Sequence, residues 1–521
     1  MSTKHPARGA TAVRLSAITK KFGSFEANSN ISLDIMGGSI HALVGENGAG
    51  KSTLTKIIYG IYRPTEGDLE IRGKRVRFDS PRDAIRLGIG MVHQHFMLIP
   101  ELSVAENIML GHEERPLFGR LNMSQINERI RRDAEAYGLG IEPEATVGNL
   151  SVGLQQRVEI LKLLFRDTSI MLFDEPTALL TPQETEEFFS TLRKLSRKGK
   201  TILLITHKLD EVLAIADTIS VMRKGALTGT MAAATVTKPE LARMMVGRSV
   251  LLRVNNPPAN PGEIVLDLRN LSYRTPGNEE SVRNLSLNIR AGEIYGIAGV
   301  EGNGQSELLQ ALWGLSAAGT IIRGEALLQG EPMRGKSPRE IAAMGVSFVP
   351  EDRLRHAVIR EFPLTENLIF GRHHESAFHR RIGFDGAALG NFAGRVIADY
   401  DIKCDNPATQ PLSSLSGGNQ QKLVTARELT RPAIKLLILA QPTRGVDIGS
   451  IETIHRKIIE ARLEGMAILL VSSELDEIVA LSTRIGCIYR GEIRHEFSRD
   501  ETEQKRLSEQ DFLKEIGLHI T

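Results

Sequence analysis

The chain has 521 residues, 41% of them hydrophobic and 25% charged, and a formal net charge of +2. That length exceeds one hydrophobic core, so two or more domains are expected, and the near-neutral balance removes the electrostatic reason for a nucleic-acid partner. Two cysteines, Cys404 and Cys487, exclude a disulfide framework or a zinc site and point to a reducing compartment; no run approaches the roughly 18 apolar residues of a membrane span, and Lys4 and Arg8 lead into no apolar signal segment.

Residues 1–10 are small and polar and are expected to be disordered, with a first domain over 11–250. The apolar run His41 to Val44 reads as a buried strand. It leads into Gly45-Glu46-Asn47-Gly48-Ala49-Gly50-Lys51-Ser52-Thr53, which fits G-x-x-x-x-G-K-[ST], and Leu54 to Ile61 reads as the helix that follows. Glycines let backbone N–H groups close around phosphate oxygens, and the helix N-terminus adds partial positive charge. Lys51 can reach outer phosphates, and the Ser52 hydroxyl can sit on magnesium. Phe22, upstream of this loop, is either an adenine-stacking aromatic or an ordinary core residue. Past the turn at Pro64 to Gly67, a strand pair covers Leu69 to Phe78, and the pattern becomes mostly helical from Ser80 to about Gly148, with a charged amphipathic helix over Ile126 to Tyr137. Within it Gln94 can offer its amide oxygen to magnesium or orient a water. Strand and helix alternate again from Ile170 to Met222, which argues for an α/β domain with a parallel sheet. The strand Ile170 to Phe173 ends in Asp174 and Glu175. Beside a phosphate loop, Asp174 is placed to hold magnesium and Glu175 to polarise an attacking water. His207 follows the strand Ile202 to Thr206, where a sensor of the terminal phosphate is expected.

Residues 251–262, rich in Asn and Pro, read as a short, stiff linker. Beyond it the plan recurs over a second domain, 263–515, with a tail at 516–521; Glu501 to Thr521 reads as an amphipathic helix that ends in this short tail. Gly299 to Glu307 matches Gly45 to Thr53, Glu366-Asn367 matches Glu106-Asn107, and Leu415 to Gln421 matches Leu150 to Gln156. Pro442-Thr443 matches Pro176-Thr177, and Leu469 to Glu477 matches Leu203 to Glu211. Five landmarks in the same order mean a duplicated domain.

Together these motifs resemble the ATP-binding-cassette ATPases: phosphate loop, glutamine loop, signature, D-E strand end and switch histidine appear in order. The resemblance implies two tandem P-loop NTPase domains. Each has a RecA-like parallel core, an antiparallel β subdomain and a helical subdomain, and ATP and Mg2+ are the cofactors. It also implies that two cassettes pair head to tail, here within one chain, so that the signature of one faces the phosphate loop of the other. The first cassette has the altered signature Leu150-Ser151-Val152-Gly153. The second keeps Ser416-Gly417-Gly418-Asn419-Gln420 but has a degenerate loop, Gly299 to Gly304 with Gln305 for Lys51, followed by Ser306. Glu351 replaces Gln94, Ala440-Gln441 replaces Asp174-Glu175, and Ser473 replaces His207. The pattern implies one hydrolytic site, which pairs Lys51, Ser52, Gln94, Asp174, Glu175 and His207 with the second signature. A silent site then pairs the degenerate loop with Ser151 and Gly153.

Within the family the chain is similar to the fused ATPases of bacterial sugar and nucleoside importers, on Pro350 to Arg353 and Pro442 to Asp447. His93 to Leu98, Gly302 to Ser306 and Ala440 to Pro442 lean to the nucleoside branch that works with basic-membrane-protein-type binding lipoproteins; a simple-sugar importer is the alternative. The partners so implied are two permease subunits, as a heterodimer, and an extracytoplasmic binding lipoprotein. The chain itself would be peripheral at the cytoplasmic face of the plasma membrane, with no nucleic acid. A soluble tandem-cassette translation factor is a further alternative, disfavoured by the degenerate second site and the short linker. Gln94 to Gly111 and Glu351 to Gly371 are expected near the permeases, with Phe96 to Ile99 serving either as a groove or as core.

Overall fold

The computed structural model describes residues 9–93, 96–111, 122–177, 180, 182–248, 255–277, 279–381, 383–498 and 509–520. The chain divides into two compact units, Met1–Val250 and Leu251–Thr521. In the first, six strands form a sheet in the order Ala226–Ala232, Thr218–Arg223, Ile40–Gly45, Thr201–Thr206, Ile170–Asp174, Ile89–Val92. All neighbours run parallel except the edge pair of Ala226–Ala232 with Thr218–Arg223. Every residue of the three central strands is buried. Continuous apolar runs such as Ile170-Met171-Leu172-Phe173 suit a sheet covered on both faces.

A second sheet of four antiparallel strands, Phe25–Met36, Thr11–Phe22, Glu66–Ile71 and Lys74–Val76, lies beside it. Burial alternates along Ile31 to Met36, so one face packs and the other meets water. The helical part contains Val104–Met109, Met123–Tyr137 and Val152–Phe165. The middle helix starts earlier than its apolar period suggests because the Asn122 side chain accepts the Gln125 N–H and caps it. The helix after the phosphate loop runs Lys51–Ile58 rather than Leu54 to Ile61. Gly50, at φ +95°, lets it begin directly from the loop, and Gly60, at φ +79°, turns the chain out.

The second unit repeats the plan. Its larger sheet runs Val346–Val349, Leu436–Ala440, Ala467–Ser472, Ile294–Ala298, Arg484–Tyr489, Glu492–Ser498. Its smaller one runs Glu280–Arg290, Ile264–Arg274, Ile321–Leu328, Glu331–Pro332.

The ends of the domains differ from the sequence reading. Gly9 and Ala10, read as part of a disordered end, are tied down: Gly37 donates to the Ala10 carbonyl at 2.7 Å; residues 1–8 lie outside the described residues. Residues 255–262 carry no helix or strand, yet they are not a free spacer. Asn256 donates to the carbonyls of Ala480 and Leu481 at 3.1 and 2.9 Å, and Arg462 donates to Pro257 at 2.8 Å. The expected tail is largely helix: Glu509–His519 packs Phe512 and Ile516, with Ile520 beyond it, into the core beside Phe497. Their spacing of four residues places them on one helix face. His519 stacks on His495 at 4.5 Å. Both cysteines are free thiols.

Within the strand Ile40–Gly45, His41 is fully enclosed, and its Nε2 lies 2.8 Å from the Ser220 hydroxyl. Burial pushes this imidazole down to about 4. Its folded value lies below the unfolded one, so its full contribution to stability is present above about pH 6.5 and is lost as pH falls toward 4, about 3 kcal/mol in all. Tyr295 occupies the corresponding place in the second unit. Acid melts between pH 6.5 and 4 are therefore expected to destabilise the first unit selectively, and His41→Gln should flatten that slope in calorimetry.

Candidate functional site

The phosphate loop of the first unit closes on itself. Lys51 is buried, and its Nζ donates to the Gly45 and Glu46 carbonyls at 2.6 and 3.0 Å. Burial lowers its pKa, while the charges of Glu175, Asp174 and Glu46 pull the other way. Ala49 donates back to Glu46 at 3.0 Å and accepts from Gly225 at 3.1 Å. Gly48 takes φ +83°, and a Cβ on Gly50 would lie 2.4 Å from the Ala27 carbonyl oxygen. Asn28, fully buried, donates to the Gly50 carbonyl at 3.1 Å and braces the loop from the neighbouring sheet. Ser52 and Thr53 form the first turn of the helix that leaves it.

The parallel register places Asp174 opposite Ile205, whose strand lies between it and the loop strand. The Asp174 carboxyl shares a hydrogen bond with the Ser52 hydroxyl; burial raises its pKa, Glu175 adds to the rise, and Ser52 and Lys51 oppose it. Glu175 bends the chain out of the strand at φ +48°, and its N–H donates to the Ile205 carbonyl at 2.8 Å. A left-handed residue with a side chain costs on the order of 1–3 kcal/mol, so this bend needs its surroundings to hold it. Its Oε1 lies 2.9 Å from His207 Nδ1. Burial opposes ionisation of Glu175, but the His207 hydrogen bond and charge, with Lys51 and Lys208, hold its carboxyl below the ordinary value. Ser52 and Asp174 are hard oxygen donors side by side, the donor type that magnesium takes. Gln94 lies outside the described residues.

Phe22 is neither core nor alone. It is 43% exposed, its ring stands edge-on to Tyr62 at 5.3 Å, and the Lys20 ammonium sits 5.0 Å over it. Tyr62 was missed in the sequence because it arrives from the far side of the phosphate-loop helix.

Both signatures open a helix. In the first unit Ser151 caps Val152–Phe165 by accepting the Leu154 N–H at 3.3 Å, and a Cβ on Gly153 would lie 2.3 Å from Glu184 Oε1. In the second, Ser416 caps Gly417–Leu429, accepting from the Asn419 N–H at 3.4 Å and its amide at 3.0 Å. A Cβ on Gly418 would lie 2.2 Å from Asp447 Oδ2, and one on Gly417 2.9 Å from Arg353 Nη2. Gln420 is buried, and its amide is spent on the Leu415 and Leu412 carbonyls at 2.9 and 3.3 Å. These bonds hold the signature loop.

The second phosphate loop keeps the backbone and changes the chemistry. Gly304 takes φ +102°, and Gln305 Nε2 donates to Val300 at 2.9 Å, matching the bond from Lys51 to Glu46. A Cβ on Gly299 would meet that amide nitrogen at 2.6 Å. Gln441 bends at φ +49° and donates to the Val471 carbonyl at 2.7 Å, as Glu175 does to Ile205. Its Oε1 accepts from the Ser473 N–H at 3.0 Å and the Ser473 hydroxyl at 3.1 Å. The neighbouring Ala440 offers no donor, and Ser306 Oγ lies 3.5 Å from Glu351 Oε2.

Gly418→Ala is expected to lower the melting midpoint of the second unit by the roughly 1–3 kcal/mol of an overpacked contact. Gly394→Ala, where nothing lies within 4 Å of the added Cβ, should not lower it; thermal melts of the two variants check this.

The family model described as ABC transporter matches residues 28–178 and again 282–444. The nucleoside import ATP-binding protein NupA of Lactococcus lactis is 43% identical over 95% of this chain and 97% of its own. The guanosine import ATP-binding protein NupO of Bacillus subtilis is 43% identical over 94% of this chain and 95% of its own. The glucose import ATP-binding protein TsgD13 of Haloferax volcanii is 42% identical over 98% and 95%. Among solved structures, the archaeal ribosome recycling factor aABCE1, in complex with the stalk protein aP1, gives a TM-score of 0.61. It covers 96% of this chain and 92% of its own at 19% identity, a likeness of fold alone. The duplicated match and the geometry of the two loops agree: the chain belongs to the ABC transporter family as a tandem-cassette ATP-binding subunit.

Proposed function

We propose that the chain hydrolyses ATP at one loop to energise import of nucleosides through separate membrane permeases. The observation that carries this reading is the contact of Glu175 with His207 at 2.9 Å, beside Asp174, Ser52 and Lys51. The backbone N–H groups of Gly45 to Thr53 and the Lys51 ammonium hold the phosphates. Ser52, Asp174 and Gln94 would hold magnesium, which when bound neutralises charge developing on the transferred phosphoryl group. Glu175, kept ionised by His207, orients water and takes its proton, and His207 meets the terminal phosphate. Phe22 with Tyr62 offers the adenine an aromatic platform.

The replacements of Lys51, Asp174, Glu175 and His207 by Gln305, Ala440, Gln441 and Ser473 all fall in the second unit, which supports the first loop as the hydrolytic one. Among the described residues no helix is long and apolar enough to cross a membrane. Two permeases, as a heterodimer, and a binding lipoprotein complete the importer, with this chain peripheral on the cytoplasmic side. The segment after Gln94 divides: Met97 is 65% exposed and Ile99 is also exposed, whereas Leu98 packs on the helical core. Its counterpart exposes Leu354, Phe362 and Phe370. These apolar tips suit contact with permease loops. The glucose importer at 42% identity favours a second reading, a simple-sugar cargo. With permeases and binding protein reconstituted, nucleosides rather than ribose or galactose are expected to stimulate ATP turnover.

Glu175→Gln is expected to lower ATP turnover by about two to three orders of magnitude or more while ATP binding persists. Gln441→Ala should change turnover less than about twofold. A comparable loss in both, measured by phosphate release, would overturn the assignment of hydrolysis to the first loop alone.

A further inference from the structure

The second phosphate loop lacks a positive charge of its own, but two side chains from other elements reach over it. Arg444, in the turn after the strand Leu436–Ala440, pairs with Glu351 and lies 3.6 Å from Glu301 of the loop itself. The second oxygen of Glu351 lies 3.5 Å from Ser306 Oγ. The turn that carries Arg444 is fixed. Its N–H donates to the Gln441 carbonyl at 3.1 Å, its carbonyl accepts from Arg353 at 3.3 Å, and Thr443 beside it donates to Glu477 at 2.8 Å. Gln305 cannot supply what Lys51 supplies. It is short and neutral, its nitrogen is bonded to Val300, and its buried Oε1 has no hydrogen-bond partner among the described residues. In the first cassette the residue that aligns with Arg444 is Ala178, which carries no charge.

We propose that Arg444 and Glu351 replace Lys51 and Asp174 in the second cassette and make it a binding site for a magnesium nucleoside triphosphate. Arg444 takes the outer phosphates, and Glu351 with Ser306 takes the metal. The assignment rests on the reading that ATP is hydrolysed at the first loop alone, and adds nucleotide binding at the second. A planar guanidinium suits bidentate contact with phosphate oxygens, and carboxylate and hydroxyl oxygens are the donors magnesium prefers. Without ligand the two side chains neutralise each other, so neither charge is left unpaired over the loop. Entry of the magnesium nucleotide exchanges one ion pair for two: arginine to phosphate and carboxylate to metal. Arg444 is 43% exposed and Glu351 28%, so the exchange takes place in contact with water and carries little desolvation cost. The site still lacks hydrolysis, because Gln441 and Ser473 bring neither a base nor an imidazole to it.

The test uses the full chain with Lys51→Ala to weaken the first loop, 8-azido-ATP as the probe, and peptide mapping of the photolabel. Label is expected on second-cassette peptides in magnesium and not in EDTA. Arg444→Ala and Arg444→Gln should each reduce it about tenfold or more, Arg444→Lys should retain a substantial part, and Glu351→Ala should remove the magnesium response. Thermal melts accompany each variant; if Arg444→Ala melts early, the ratio of Arg444→Lys to Arg444→Gln decides. Equal or stronger label in Arg444→Ala would overturn the proposal, since the ion pair would then only cover the loop. Label that survives EDTA would also overturn it, as would its absence from the second cassette of the chain carrying Lys51→Ala alone. Hydrolysis at the first loop is read separately, by phosphate release in Glu175→Gln, so failure there leaves the photolabel result interpretable.

Discussion

Parallel pairing among the buried central strands is the constraint on which both loops depend. With Val44 opposite Thr206 and Asp174 opposite Ile205, the phosphate loop, the paired acids and His207 leave the sheet along one edge. A one-residue slip would turn each strand's side chains to the opposite face, and with every position enclosed the sheet has no register in which that costs little. The Glu175 N–H bond to Ile205 extends the ladder one residue past the strand, and His207 then meets a carboxylate already aimed by the backbone. The second unit keeps the same pairing, Ala440 opposite Val471, and the same extra bond from Gln441.

On this shared frame the two loops make opposite electrostatic choices. In the first, a buried ammonium, the buried Asp174 and the partly buried Glu175 depend on each other: Lys51 is pulled up by the acids, and Glu175 is held down by its cationic neighbours. Losing one partner would leave the others desolvated and unpaired, which costs more than any one contact contributes. The second loop has removed the ammonium and both acids together, and Gln441, Ser473 and Gln305 meet their neighbours through neutral hydrogen bonds. Its charges have moved outward to Arg444, Glu351 and Glu301, where water screens them. Loss of catalysis there is a coordinated replacement that leaves the fold unstrained by orphaned charge.

How much of this was legible in the sequence follows from where each contact originates. The phosphate loop was readable because strand, glycine turn and helix are contiguous, and the duplication was readable as ordered repeats. The closeness of Glu175 and His207 was readable only as motif order, since strand adjacency brings them together across the sheet. Asn28 and Tyr62 were missed, and Arg444 was read only as part of the motif Pro442 to Asp447, for the same reason: each reaches its loop from a separate element. The bonds from the Gln420 amide to its own loop were not legible either, because signature spacing does not reveal which side chains turn back on the backbone. The C-terminal helix was legible from the period of Phe512, Ile516 and Ile520, but its end was set at residue 515, four residues too early, because no glycine or proline marks the stop. The linker, judged by its prolines, is instead held by the buried Asn256, an anchor that composition cannot show.

Gln441 holds its left-handed bend although it no longer aims a carboxylate. The strained backbone and the chemistry it serves are therefore separable in this protein. What distinguishes a working cassette from a silent one is carried by side chains on nearly the same main-chain path, with the same bond to the adjacent strand. The silent cassette is best regarded as a mould of the active one: its shape is kept, and its reactivity is set by what is placed in it.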